Sequence, residues 1–208
     1  MAVHPPRSGL AIPHDFLTLD PPGPYDAPMR ITAGKYRGRT VFCPPGEIRP
    51  AMDRMRTSVF SILGPLEGLS FLDLFSGSGL VGIEAASRGA TPVDLVEKDF
   101  GKKAVIHRNL SWVEEAVQLH LADVRAFLKR AHRRWNIIYA DPPFPMAGKL
   151  EVLQLVAEGA LLVPGGSLLL HYPDEESFPD TVGPLVRYDH REYGRSQVVF
   201  YTLPPDGG

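Results

Sequence analysis

Phe71-Leu72-Asp73-Leu74-Phe75-Ser76-Gly77-Ser78-Gly79-Leu80-Val81-Gly82 compresses a strand, a turn and a helix start into twelve residues. The glycines at 77, 79 and 82 have the spacing that turns a chain tightly, admits a ligand close to backbone and packs a helix onto a strand. That spacing alone is weak evidence. Glu97 closes the next apolar run twenty residues after Gly77, the offset at which a carboxylate receives ribose hydroxyls. Strand context, glycines and acid together predict a site for a nucleoside-bearing cofactor.

Outward from this stretch the pattern alternates. Strands are expected at 69–74, 92–97, 116–121, 135–140 and 166–172, and helices at 79–88, 100–112, 123–133 and 148–159. Such alternation predicts an α/β fold with a parallel, doubly wound sheet. After Pro173, strands at 185–190 and 197–203, joined through Glu192-Tyr193-Gly194-Arg195, should add an antiparallel hairpin and bring the sheet to seven strands. Upstream, 30–33 and 40–42 read as a small β-hairpin. Residues 50–63 follow as a helix that opens on Pro50, ends at Gly64-Pro65 and sets Met52, Met55, Val59, Ile62 and Leu63 on one face. Asp53 and Arg56 are spaced for an ion pair within that helix.

The 208 residues allow one sizeable domain, and a hydrophobic fraction of 44% is enough for a core. Three segments are expected: a Pro-rich leader at 1–28, a hairpin and helix at 29–64, and the α/β domain at 65–208. Met29 stands where patterned sequence begins and is a candidate natural start. The net charge of −2 is unevenly spread. Residues 30–56 hold seven cations (Arg30, Lys35, Arg37, Arg39, Arg49, Arg54 and Arg56) against Glu47 and Asp53, a net of +5 on an otherwise acidic chain. A localised basic block predicts contact with a polyanion. The hairpin tip, with Lys35, Tyr36, Arg37 and Arg39 between glycines, is the expected phosphate-binding feature. With Cys43 as the only cysteine and the histidines scattered, neither a disulfide nor a metal site is expected. No apolar run approaches the ~20 residues of a membrane span, and no secretory signal opens the chain. A cytoplasmic location is expected.

The second informative stretch is Asp141-Pro142-Pro143-Phe144, after the apolar run Trp135–Ala140. Two prolines end the strand and stiffen the turn beyond it. A carboxylate, a carbonyl and an aromatic ring are thereby clustered at a strand's carboxyl end, where open α/β sheets bind ligands. The cluster suits a planar group bearing an NH2. Asp73 decides between cofactors. An anion four residues before Gly77 would repel a pyrophosphate but attract a sulfonium, which favours S-adenosylmethionine over NAD. Asp123, after the strand at 116–121, suits the adenine amino group and also a helix N-cap.

Asp73 to Gly79, Glu97, Asp123 and Asp141-Pro142-Pro143-Phe144 stand in the order typical of amino-group methyltransferases with a D/N-P-P-Y/F motif. Residues 30–39 and 49–56, with Tyr193-Gly194-Arg195-Ser196, resemble the bacterial small-subunit ribosomal RNA guanine-N2 methyltransferases of the RsmD type, over residues 29 to about 203. The resemblance implies a Rossmann-like methyltransferase fold and S-adenosylmethionine held by Asp73, Phe75, Gly77, Gly79, Glu97 and Asp123. It also implies amine methylation at Asp141, Pro142, Pro143 and Phe144. Its partner would be 16S rRNA or a small-subunit assembly particle, bound through Lys35, Tyr36, Arg37, Arg39, Arg49, Arg54 and Arg56, with the protein a monomer. That family usually has Thr at the position of Ala51 and Glu at that of Thr57, so neither residue is given a role. Alternatives are a DNA adenine-N6 methyltransferase, an NAD-dependent oxidoreductase using the same glycines, and a non-catalytic RNA-binding assembly factor.

Overall fold

The computed structural model describes residues 27–43 and 50–205. The leader expected at 1–28 lies, as far as residue 26, outside the described residues, and so does Arg49. Strands β1 (Ala27–Arg30) and β2 (Thr40–Cys43) form a two-stranded antiparallel sheet, and α1 (Pro50–Leu63) follows. Then come β3 (Phe71–Leu74), α2 (Leu80–Ser87), β4 (Val93–Glu97), a 3-10 turn at Phe100–Lys102, α3 (Lys103–Leu110) and β5 (Val117–Leu121). The chain continues through α4 (Val124–Arg130), β6 (Trp135–Ala140), α5 (Lys149–Glu158) and β7 (Leu162–Pro173). It closes with β8 (Thr181–Val182), β9 (Leu185–Tyr193) and β10 (Ser196–Thr202).

The large sheet runs β5-β4-β3-β6-β7-β10-β9-β8. Strands β3 to β7 pair in parallel, and β7, β10, β9 and β8 pair antiparallel. Among the described residues it has eight strands where the sequence pattern predicts seven. The extra one is two residues long, formed where the chain reverses at Gly183 and Thr181 pairs with Val186. The chain winds outward from β3 to β5, then crosses back to lay β6 on the other side of β3. That reversal opens a crevice at the carboxyl ends of β3 and β6.

Period-two alternation sorts the strands onto two faces. Leu72, Leu74, Ile138, Leu168 and Leu170 pack against Val124, Leu128, Val152 and Val156 of α4 and α5. Phe71, Leu95, Ile137 and Leu169 pack against Met55, Val59 and Phe60 of α1, Ala85 of α2 and Ile106 of α3. The N-terminal hairpin adds a small cluster in which Met29, Ile31, Tyr36 and Val41 surround Ile83.

Strand β1 ends at Arg30, although the residue pattern places the strand at 30–33. The amides of Thr32 and Ala33 donate instead to the buried Glu84 carboxylate, at 2.8 and 3.2 Å, which draws this part of the chain out of the ladder and onto α2. Gly34 makes the approach possible: its φ is +78°, and a Cβ there would fall 1.8 Å from the Ser87 carbonyl oxygen. Among the described residues no helix is long and apolar enough to cross a membrane.

Candidate active site

The glycine turn is held from below by two carboxylates. Asp73, almost fully buried at the end of β3, accepts from the Gly82 amide at 2.9 Å and so ties the start of α2 to the strand. Gly82 lies so close to β4 that a Cβ would come within 2.2 Å of a Leu95 methyl, which accounts for the third glycine. Glu97 at the end of β4 accepts from the Gly77 amide at 2.9 Å and from the Asp99 amide at 2.8 Å. Between these anchors Phe75 has φ +62°, a left-handed conformation that bulky residues adopt only where surroundings impose it.

Asp141 enters from the adjacent strand. Its amide donates to the Leu74 carbonyl at 3.3 Å, continuing the β3–β6 ladder past Ala140, so the D-P-P-F turn begins beside the glycine turn. The Met146 amide donates to the Pro143 carbonyl at 2.8 Å and closes that turn. Burial pushes the Asp73 carboxyl well above the ordinary 3.8, and the nearby charges of Asp141 and Glu97 push it further, against the Gly82 bond. A bound group carrying positive charge would relieve this crowding of carboxylates. The arrangement therefore fits a cofactor with a sulfonium centre.

Two residues at this site escaped the sequence reading. His171 on β7 is buried and places Nδ1 2.6 Å from Asp141 Oδ1, with its ring edge-on to Phe144 at 5.1 Å. Lys149 at the start of α5 is also buried. Its Nζ donates to the carbonyls of Phe144 and Met146, at 2.8 and 2.9 Å, and to Glu176 at 2.5 Å. Two of these bonds tie the Phe144–Met146 loop to α5, and the third joins the ammonium to Glu176. The available signals were a single histidine directly after the apolar run Leu168-Leu169-Leu170 and a single lysine heading an amphipathic helix, and neither belongs to a motif.

Asp73, Phe75, Gly77, Gly79 and Glu97 thus gather at one sheet edge with Asp141, Pro142, Pro143 and Phe144. Asp123 lies two strands further out, past the end of β5, where Oδ1 caps α4 by accepting from the Ala126 amide at 3.2 Å. Two open grooves of about 660 and 500 Å3 lie elsewhere, one lined by Lys103, His107 and Arg133, the other by Ile62, Pro164 and Tyr188. Neither includes Asp141. Chemistry marks this site better than concavity.

The basic residues do not act as one group. Arg30, Arg37, Arg39 and Arg54 are exposed. Lys35 is exposed but paired with Glu114 at 2.8 Å and Glu115 at 3.0 Å. Tyr36, expected at the RNA surface, is buried; its hydroxyl donates to Glu115 and accepts from the Glu114 amide, and its ring packs on Trp112. Arg56 is buried too. It donates to the Arg30 carbonyl at 2.7 Å, pairs with Asp53 at 2.9 Å as the spacing within α1 implies, and lies 3.8 Å from Glu84. Among the described residues no cluster of His, Cys, Asp and Glu could hold a metal ion.

A family model described as conserved hypothetical protein 95 matches residues 29–202. YlbH of Bacillus subtilis (strain 168) is 33% identical over 180 residues, spanning 83% of this chain and 98% of that protein. Ribosomal RNA small subunit methyltransferase D of Escherichia coli (strain K12) is 30% identical over 176 residues, spanning 83% and 87%. Among solved structures, a Thermus thermophilus 16S rRNA N2 G1207 methyltransferase in complex with AdoMet and guanosine superimposes with a TM-score of 0.65 at 24% identity, covering 85% of this chain and 49% of that one. That last likeness is one of fold.

Proposed function

This chain belongs to the conserved hypothetical protein 95 family, that of the ribosomal RNA small subunit methyltransferase D proteins, and we propose that it methylates the exocyclic N2 amine of a guanine in small-subunit rRNA. It is an S-adenosylmethionine-dependent rRNA methyltransferase. The observation that carries the proposal is the bond from the Asp141 amide to the Leu74 carbonyl, because it sets the amine-binding cluster beside the cofactor turn. Neither DNA adenine methylation nor NAD-dependent oxidation is favoured. The named relatives modify rRNA, and the carboxylates crowding Asp73 oppose a pyrophosphate.

S-adenosylmethionine supplies an electrophilic methyl group. The candidate holding residues are Asp73, Phe75, Gly77, Gly79, Glu97 and Asp123. A guanine amine is a poor nucleophile because its lone pair is delocalised into the ring. Asp141 and the Pro142 carbonyl can each accept one of its hydrogens, drawing nitrogen toward tetrahedral geometry and orienting the lone pair. This is positioning joined to electrostatic preorganisation. Phe144 stacks on the base, which must leave its own stack to enter. The surplus amine proton departs through Asp141 or to water. Exposed Arg30, Arg37, Arg39 and Arg54 supply the phosphate contacts. The substrate is 16S rRNA or a small-subunit assembly particle, met by a monomer in the cytoplasm.

The test is tritiated methyl transfer onto small-subunit particles followed by nucleoside analysis. Label in N2-methylguanosine is the expected result; label in N6-methyladenosine, or none in RNA, overturns it. Asp141→Ala should lower the transfer rate by orders of magnitude while cofactor affinity holds. Retention of activity to within about tenfold, ~1.4 kcal/mol, would remove Asp141 from the chemistry.

A further inference from the structure

We propose that His171 is the positioning residue of the amine site: by donating from Nδ1 to Asp141 Oδ1 it locks that carboxylate in one orientation and reserves Oδ2 for the target amine. The inference rests on the amine-methylation reading above and adds a residue that no motif supplies.

The geometry comes from the sheet. Strands β6 and β7 run parallel with Ala140 opposite Leu170, so the next residue of each, Asp141 and His171, emerges on the same face at the carboxyl edge. Their side chains meet at 2.6 Å. An ionised carboxylate only accepts hydrogen bonds, so the hydrogen shared between the two side chains sits on Nδ1. Among the described residues the buried Nε2 has no hydrogen-bond partner, and the residue as a whole is 3% exposed.

An imidazole with one nitrogen unsatisfied in a buried strand is a poor choice for stability. Leu168, Leu169 and Leu170 precede it, and a fourth apolar side chain would suit the same environment. The polar bond it does make is with Asp141, and its ring also abuts Phe144 at 5.1 Å. One side chain therefore braces both the acid and the aromatic of the D-P-P-F turn. Because Nε2 is sealed from solvent, His171 acts through Asp141 and does not touch the base. A carboxylate free to rotate would present its acceptors to the amine only part of the time, and small misplacements of a reacting group are costly to rate.

The experiment compares four variants of the full chain in methyl transfer to small-subunit particles, reading kcat, KM for RNA, S-adenosylmethionine affinity and the urea midpoint. His171→Phe keeps the ring against Phe144 and removes the donor. It should lower kcat by about 10- to 100-fold, with KM and cofactor affinity little changed and the midpoint unchanged or raised. His171→Asn restores an N–H at the reach of Nδ1 and should recover most of kcat; His171→Gln, whose amide reaches the place of Nε2, should not. Wild-type kcat in His171→Phe overturns the proposal. So does a loss shared with the midpoint and cofactor binding, which marks a structural role. Should His171→Phe not fold, the Asn and Gln pair decides, and equal kcat in the two overturns it. Asp141→Ala separates the two levels of inference. If it is as active as wild type, the amine-site reading itself has failed; if it is inactive while His171→Phe is not, only the role of His171 is lost.

Discussion

Asp73 shows how one residue serves fold and site together. Its carboxyl is buried, bonded to the Gly82 amide and lifted well above 3.8 by burial and by the neighbouring charges of Asp141 and Glu97. A raised acid holds its proton in the folded chain after the unfolded chain has released it. The folded state is therefore favoured below pH 3.8 and loses that advantage as pH rises through the raised value. Asp73→Asn keeps an oxygen for Gly82 without the charge. Its urea stability relative to wild type should climb with pH and level off above the raised value; a pH-independent difference would show that Asp73 titrates normally. The same substitution should weaken binding of the sulfonium cofactor more than that of its uncharged thioether product, as calorimetry with both would show. The sequence made Asp73 legible as an anion near the turn, but not as the anchor of α2. His171 and Lys149 were illegible for a different reason. Each is thirty or fewer residues from the D-P-P-F turn yet meets it only through the parallel register of β6 with β7 and the packing of α5, which no local pattern encodes.

At the scale of elements, the hairpin carrying the basic tip is clamped and not free. Glu84 of α2, fully buried, accepts from Thr32 at both nitrogen and hydroxyl, from Ala33 and from Arg88. Ser87 adds bonds to Ala33 and Tyr36. Glu84→Ala strands several of these donors and leaves Arg56 and Arg88 without their shared anion. Breaking a buried charged network of this kind costs about 3–5 kcal/mol, which denaturant unfolding will measure; a loss below ~1 kcal/mol, the scale of a surface pair, would mean the clamp is superficial. The hairpin's cations then separate by what surrounds them. Arg37 and Arg39 are exposed, whereas Lys35 is already paired with Glu114 and Glu115. Replacing Arg37 and Arg39 with Ala should weaken RNA binding and flatten its salt dependence, each lost phosphate contact reducing the slope by about 0.7–0.9. Lys35→Ala should change it less. Sequence spacing found the hairpin and its charge. It could not show that Tyr36 turns inward or that Arg56 is buried near Glu84 as well as paired with Asp53, because those fates depend on the face of α2 that the hairpin covers.

For the molecule as a whole, the division into 29–64 and 65–208 is one of sequence pattern, and the packing crosses it. Met55, Val59 and Phe60 of α1 share a buried cluster with Phe71, Ile137 and Phe200 of the sheet. At the far end of the chain Tyr193 donates to Ser58 at 2.7 Å, so β9 also holds α1. A segment bonded to both the centre and the last hairpin of a sheet cannot unfold alone without exposing that sheet's core. The two tryptophans permit a direct check, since Trp112 contacts Tyr36 and Arg39 of the hairpin while Trp135 is buried at the start of β6. In a Trp135→Phe variant the remaining indole reports the hairpin interface, and far-UV circular dichroism reports the sheet and helices. If the extension and the α/β sheet form one cooperative unit, urea midpoints from the two signals coincide. An earlier Trp112 transition would mean that the hairpin detaches while the sheet stands, making residues 29–64 a separable arm that could close over RNA independently of the site it serves.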